Sequence, residues 1–370
     1  NDPTQVETDS DCPTTMTSSN QSDSVGSTLG SLGAMTACTL GAGIAGGVLY
    51  MAVQRMNRAR AASRRLSELI AAATSAGEAR IVITGATSGV GEELTRAFSQ
   101  HSSVSLLLGC RNAERGQRVV ESITRRGGQA RLAPLDCLDL GSVKRFAGEA
   151  SAFLDGGADG LRLLLNNAGV MRAPEDASAD GCDATWATNF LAPAVIAETV
   201  AANTRLREVR VVNVSSRLEA RSRLDADMLA AAAAADPAAR KSSYADSKRA
   251  LMLWVALRAG PLSERGTRLA ATTPGMVDTQ LGRHSVRPQL WPLTKPLRWL
   301  LLRSPAEGAV AACAAGLQPP EGGGPGGEGE AGWYMDGERT LEHLPTQRAL
   351  SERPLAEAVC AWVGRVCGEK

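Results

Sequence analysis

Lysine, histidine and aromatic residues are all scarce in this chain, and each shortage excludes something. Only 5 Lys stand against 35 Arg, an imbalance that fits the codon bias of a GC-rich genome. With a formal net charge of +1, no global field draws a nucleic acid or a broad anionic partner. Three His, none at a ligand-like spacing, speak against a metal centre. The eight Cys (12, 38, 110, 137, 182, 313, 360 and 367) form no C-x-x-C pair, which argues against a zinc site or disulfide framework and suits a reducing compartment. Aromatics make up 4%, so the core must rest on Leu, Val and Ala. At 370 residues the chain can bury a full core, as one large α/β domain or two smaller ones.

Base is missing from residues 1–28, which carry five acidic groups among Ser and Thr. Such a segment buries too little apolar surface to offset its ordering entropy, so a disordered tail is expected there. It also lacks the Arg-rich, acid-poor character of a mitochondrial presequence. Charge of either sign is then absent for 25 residues, Leu29 to Val53, long enough to span a bilayer as a helix. Six of these are Gly, and Gly43 and Gly47 form a G-x-x-x-G step that lets two membrane helices approach closely. Arg55, Arg58, Arg60, Arg64 and Arg65 follow at once. Acid before and Arg after predict a transmembrane helix with the following domain on the cytosolic, matrix or stromal side. The competing reading is a Gly/Ala-rich linker, since both residues are only weakly apolar. Residues 54–78 read as a helical or flexible connector.

From residue 79 a regular alternation begins and continues to the end of the chain. Ile81-Val82-Ile83, Val104–Leu108, Leu161–Leu165 and Val209–Val214 are short apolar runs separated by helical patterns. Continuously apolar strands alternating with helices imply a parallel sheet covered on both faces. The expected fold is therefore a single doubly wound, Rossmann-like α/β domain over 79–370, with ligands at the carboxyl ends of its strands.

Thr84-Gly85-Ala86-Thr87-Ser88-Gly89-Val90-Gly91 follows the first run and opens a helix. Glycines there let the backbone turn sharply beside a pyrophosphate, while the helix start binds its charge. The second run ends at Arg111, whose guanidinium suits a 2′-phosphate, where an acid would suit a free 2′-hydroxyl; NADP(H) is the cofactor expected. Arg115 either assists or is simply an exposed helix residue. Further on, Tyr244 and Lys248 stand one helical turn apart on one face. With three Tyr and five Lys, chance supplies about 0.04 such pairs. An ammonium that close should lower the phenol's pKa and make it a proton donor and acceptor near neutral pH. The bland alternative is an amphipathic helix with a surface Lys.

Together these features resemble the short-chain dehydrogenase/reductase family over about 290 residues, with the blocks in order. The resemblance implies that Asp136 contacts adenine and that Asn167, Ala168 and Gly169 of Asn166-Asn167-Ala168-Gly169 lie beside the cofactor. It implies that Asn189 holds a relay water, that Ser216 is the catalytic hydroxyl, and that Tyr244 and Lys248 complete a tetrad in which Lys248 also binds the nicotinamide ribose. Pro274, Gly275, Val277 and Thr279 fall where the family touches the nicotinamide. Cys110-Arg111, the long Ser216-to-Tyr244 segment, Arg303–Ala309 and Gly332-Trp333-Tyr334 look like the retinol-dehydrogenase-like branch, to which an N-terminal anchor is also familiar. Departures are Asp246 inside Tyr-x-x-x-Lys, an insertion over 321–330, and an Ala-rich run at 229–235.

The segment 283–304 is expected to lid the substrate pocket, and its Trp291, Trp299 and many Leu point to an apolar carbonyl or alcohol: a retinoid, sterol, lipid aldehyde or quinone. The same pattern also fits a lid dipping into a membrane with Arg298 and Arg303 at the headgroups, or a helix that only covers the sheet. A catalytically silent subunit of a membrane complex is the second function class, since the G-x-x-x-G helix and acidic tail could dock a complex or a second copy. The intact tetrad argues for the enzyme.

Overall fold

The computed structural model describes residues 23–75, 77–156, 160–203, 205, 208–234, 244–285, 289–318, 332–336, 339–341 and 352–368. The acidic tail through residue 22, the insertion at 321–330 and positions 286–288 of the expected lid lie outside the described residues. The chain divides into two compact units, Asn1–Gln54 and Arg55–Lys370.

Helix α1 (Asp23–Thr74) supplies the described part of the first unit and the opening of the second. Among the described residues no helix is long and apolar enough to cross a membrane. The side chains of 23–44, which include much of the expected span, are outside that description. Within the second unit the expected connector is helical, and its Leu66, Leu69 and Ile70 are buried in the domain core.

Among the described residues, eight strands form one sheet: β1 (Ala79–Thr84), β2 (Val104–Cys110), β3 (Gln129–Pro134), β4 (Leu161–Asn166), β5 (Val209–Val214), β6 (Thr267–Thr273), β7 (Gly332–Asp336) and β8 (Arg339–Leu341). Their order is β3-β2-β1-β4-β5-β6-β7-β8. All neighbours are parallel except the β7–β8 pair. Strand order reverses between β1 and β4, which opens a crevice at the carboxyl end of β1.

The central strands are buried on both faces, as their Val, Ile and Leu runs require. One face carries α4 (Leu140–Asp155), the short α5 (Ala184–Trp186), α6 (Ala192–Ala201), α8 (Tyr244–Glu264) and the C-terminal α11 (Arg353–Cys367). The other carries α1, α2 (Gly89–Phe98), α3 (Ala113–Thr124) and α10 (Pro305–Leu317). Local signals set several of these starts. Asn112 and Asp139 cap α3 and α4 through their side chains, and Ser304 with Glu307 forms a capping box for α10. The sparse aromatics are concentrated: Trp186, Phe190 and Trp362 meet with ring centroids 5.6–5.7 Å apart. They pin α11 to the segment that carries Asn189. The Ala-rich run forms α7 (Ala226–Ala234), with Leu229 and Ala232 turned inward.

After β6 the chain forms short turns and α9 (Lys295–Leu301). Leu297 and Leu301 lie one turn apart on α9, Leu290 and Leu293 come just before it, and all four are exposed. This stretch therefore does not lay its leucines on the sheet. Of the two arginines expected at its polar edge, Arg298 is turned into the loop, whereas Arg303 stays exposed. Arg298 lies 3.5 Å from the Trp291 ring centre and 3.4 Å from Asp278, while Arg303 reaches the Pro274 carbonyl at 3.4 Å. A guanidinium seeks a planar face and a carboxylate, and both are available within the loop itself.

Candidate active site

The turn after β1 has been cleared of side chains. Gly85 and Gly89 have φ of +66° and +56°, left-handed values that disfavour any Cβ. A Cβ at Gly91 would run into the Gly85 carbonyl and the Asn167 amide. Thr87 and Val90 are buried, and Ser88 opens α2 without a side-chain cap. Such a bare backbone ahead of a helix N-terminus fits the close approach of a dinucleotide pyrophosphate.

Two residues brace this turn. The Asn167 amide donates to the Thr84 carbonyl at 2.9 Å, and the Thr84 hydroxyl accepts from the Asn167 and Ala168 N–H groups at 3.0 Å. Asn167 is thus committed to the turn's backbone. Thr84 opens the Gly-rich block, but nothing in the sequence pattern marks it as the brace to Asn167 and Ala168. On the far bank, Thr279 packs against Gly89, and Val277 forms a parallel bridge with Arg303. The loop Pro274–Thr279 is thereby held against both the turn and α10, and Gly275, with φ of +79°, lets it bend.

Asp136 and Arg111 stand apart from this cluster, at the ends of β3 and β2. One Asp136 oxygen accepts from the Leu138 N–H at 3.0 Å, shaping the turn into α4. Arg111 is half exposed and pairs with Glu175 at 3.5 Å; Arg115 pairs with Glu92 at 3.8 Å.

Tyr244 and Lys248 begin α8 together. Lys248 Nζ is buried, donates to the Val214 carbonyl at 2.7 Å and lies 5.9 Å from the Tyr244 ring centre. Burial pushes its ammonium down to about 7. Burial also raises the Tyr244 phenol above its ordinary value, and a hydrogen bond with Ser216 offsets part of that rise. The net direction is opposite to the lowering expected from the spacing. Desolvation outweighs the Ser216 hydrogen bond, because burial discourages a charge on the phenol as it does on the ammonium.

Asn189 is fully buried in a π-helical turn, Ala187–Leu191, a local widening often found at functional sites. Its amide donates to the Val170 carbonyl at 2.8 Å and to the Ser247 hydroxyl at 3.0 Å, and its oxygen accepts from the Val170 N–H at 2.9 Å. Ser247 in turn donates to the Tyr244 carbonyl at 2.9 Å. Asn189 therefore joins the loop holding Gly169 to the helix that carries Tyr244.

Asp246 is buried and accepts from the Ser222 hydroxyl at 2.8 Å and the Arg223 N–H at 2.9 Å. Buried Arg249 bridges Glu219 at 3.0 Å and Glu352 at 2.6 Å. The two side chains staple the segment after Ser216 to the helix of Tyr244, and Glu352 adds the start of α11. An Asp inside the Tyr-x-x-x-Lys block was the one visible sign of this arrangement; the ion-pair partners gave none.

A cleared glycine turn at the switch point, with a Tyr–Lys helix and a hydroxyl beside it, defines a dinucleotide-dependent oxidoreductase. The chain belongs to the short-chain dehydrogenase family, whose model matches residues 79–289. Its relatives place it in the retinol-dehydrogenase-like branch. It is 33% identical to mouse polyprenol dehydrogenase over 279 residues, covering 72% of this chain and 78% of that one. It is 30% identical to human retinol dehydrogenase 12, covering 65% and 75%. Among solved structures, an uncharacterised protein from Mycobacterium paratuberculosis is similar with a TM-score of 0.55 at 25% identity, over 79% of this chain and 94% of that one. The NADPH-bound carbonyl reductase from chicken fatty liver gives 0.51 at 19%, over 72% and 95%, a likeness of fold alone.

Proposed function

We propose that the protein is an NADP(H)-dependent oxidoreductase acting on the carbonyl or alcohol of an apolar, membrane-resident substrate. The observation that carries the reading is Lys248, buried one helical turn after Tyr244, with its Nζ 5.9 Å from the Tyr244 ring centre and bonded to the Val214 carbonyl at the end of β5, two residues before Ser216. When bound, the cofactor supplies or accepts the hydride. Tyr244, its pKa raised, holds its proton at neutral pH and can hand it to a carbonyl oxygen. Ser216 orients that oxygen and stabilises charge developing on it. Lys248, balanced between charged and neutral near pH 7, returns a proton toward the phenol and binds the nicotinamide ribose. Asn189 steadies Val170 and Ser247 around them and holds the relay water.

Asp136 takes the adenine side, Arg111 the 2′-phosphate, Gly85–Gly91 with Ala168 and Gly169 the pyrophosphate and ribose, and Pro274, Gly275, Val277 and Thr279 the nicotinamide. The exposed leucines of 290–301 support a substrate collected from lipid, as does similarity to a protein named polyprenol dehydrogenase. In the same reading the uncharged stretch 29–53 tethers the domain to a membrane, on its cytosolic, matrix or stromal side. The test is NADPH oxidation by detergent-solubilised protein over a carbonyl panel from short aldehydes to retinal and polyprenal, with NADH as the paired control. Turnover concentrated on the long apolar carbonyls and faster with NADPH is expected. Faster turnover with NADH, or preference for the short aldehydes, would overturn the cofactor or the substrate assignment respectively.

A further inference from the structure

Arg111 follows β2 directly, whereas Glu175 lies in the loop after β4, and β1 runs between those two strands. At the usual strand spacing the ends of β2 and β4 are roughly 10 Å apart. The 3.5 Å ion pair therefore joins the two banks of the crevice that opens at the carboxyl end of β1, where the bare Gly85–Gly91 turn begins. Arg115, the second cation on this bank, is turned toward Glu92.

We propose that Glu175 is a specificity-determining residue that competes with the cofactor's 2′-phosphate for Arg111 and so narrows the preference for NADPH over NADH. The inference rests on the reading of Arg111 as the phosphate partner. A 2′-phosphate brings up to two negative charges to a guanidinium that already faces a carboxylate, so part of its binding energy goes to parting the pair. A 2′-hydroxyl brings no charge, and it can be accommodated with the pair intact. Both side chains are about half exposed, so water screens the competition and limits it to a few-fold.

The test uses 2′,5′-ADP (adenosine 2′,5′-bisphosphate) and 5′-AMP as probes, which differ only in the 2′-phosphate, with affinities measured by calorimetry on the full chain. In Glu175→Gln, 2′,5′-ADP should bind about threefold more tightly, the size an exposed ion pair supports, with 5′-AMP unchanged. The 5′-AMP affinity also reports that the variant is folded. In an Arg111→Ala background the same substitution should give no comparable gain, because the competitor then has nothing to compete for. An unchanged 2′,5′-ADP affinity in Glu175→Gln would overturn the inference, as would a threefold gain that persists without Arg111. Equal discrimination between the probes by wild type and Arg111→Ala would refute the reading of Arg111 itself, which is a separate result.

Discussion

At Lys248 burial and charge oppose each other, and the outcome can be read from stability. In the unfolded chain this ammonium keeps its proton to about pH 10.4, whereas in the fold it loses it near 7. Between those values the unfolded state binds more protons, so this group makes stability rise with pH across that window. Below pH 7 the cost of the buried charge is fully in place. Lys248→Met should remove that slope, with urea unfolding at pH 6.5 and 8.5 as the measurement. Cys137 and Cys182, held up to about 12 by burial, are common to both proteins and cancel in the comparison. Identical pH dependence in the two proteins would contradict the burial argument. The Gly91 position offers a second test at this scale. Gly91→Ala should reduce NADPH affinity at least tenfold, because its methyl would collide with the Gly85 carbonyl and the Asn167 brace. Fluorescence titration showing wild-type affinity would remove the close-approach argument for the turn.

Helix α8 is where chemistry and architecture share one element. Tyr244 and Lys248 face the crevice, while Asp246 and Arg249 hold the Ser216 segment and the start of α11. Asp246→Leu leaves the Ser222 hydroxyl and the Arg223 N–H without their acceptor and should cost about 2 kcal/mol; Asp246→Asn, which keeps an oxygen there, should cost less than about 1 kcal/mol. Equal losses on chemical denaturation would mean that bulk, rather than hydrogen bonding, is what the site requires. This helix also marks the limit of what the sequence discloses. Its Tyr-x-x-x-Lys spacing, the apolar strand runs and the Thr84–Gly91 block follow from local periodicity and turn chemistry, so the doubly wound fold and the cleared turn were legible. The bracing by Thr84, the Glu219–Arg249–Glu352 bridge and the Arg111–Glu175 pair join positions far apart in sequence, and no local pattern encodes them. Spacing misleads on the direction of the Tyr244 pKa for a related reason: it discloses a neighbour's charge but not the depth at which both are buried.

For the whole molecule, the open relation is with lipid. The leucine-rich surface of 290–301 is exposed, while Arg298, expected to mark its polar edge, is tied to Asp278 and Trp291. Binding through this face should then depend on apolar burial more than on anionic headgroups. Protein truncated before Arg55 should float with neutral vesicles, and Leu293→Asp with Leu297→Asp should abolish flotation without changing the melting temperature. Flotation that survives both substitutions would detach this face from the membrane. The uncharged stretch 29–53 is tested by carbonate washing of membranes carrying the full chain, which should leave the protein in the pellet; recovery in the supernatant would exclude a spanning anchor. All of this serves one reaction, and its most direct test is at Tyr244. NADPH oxidation on the best carbonyl of the panel should fall at least a thousandfold in Tyr244→Phe, while NADPH binding stays within about twofold of wild type. Full turnover in that variant would contradict the account at its centre.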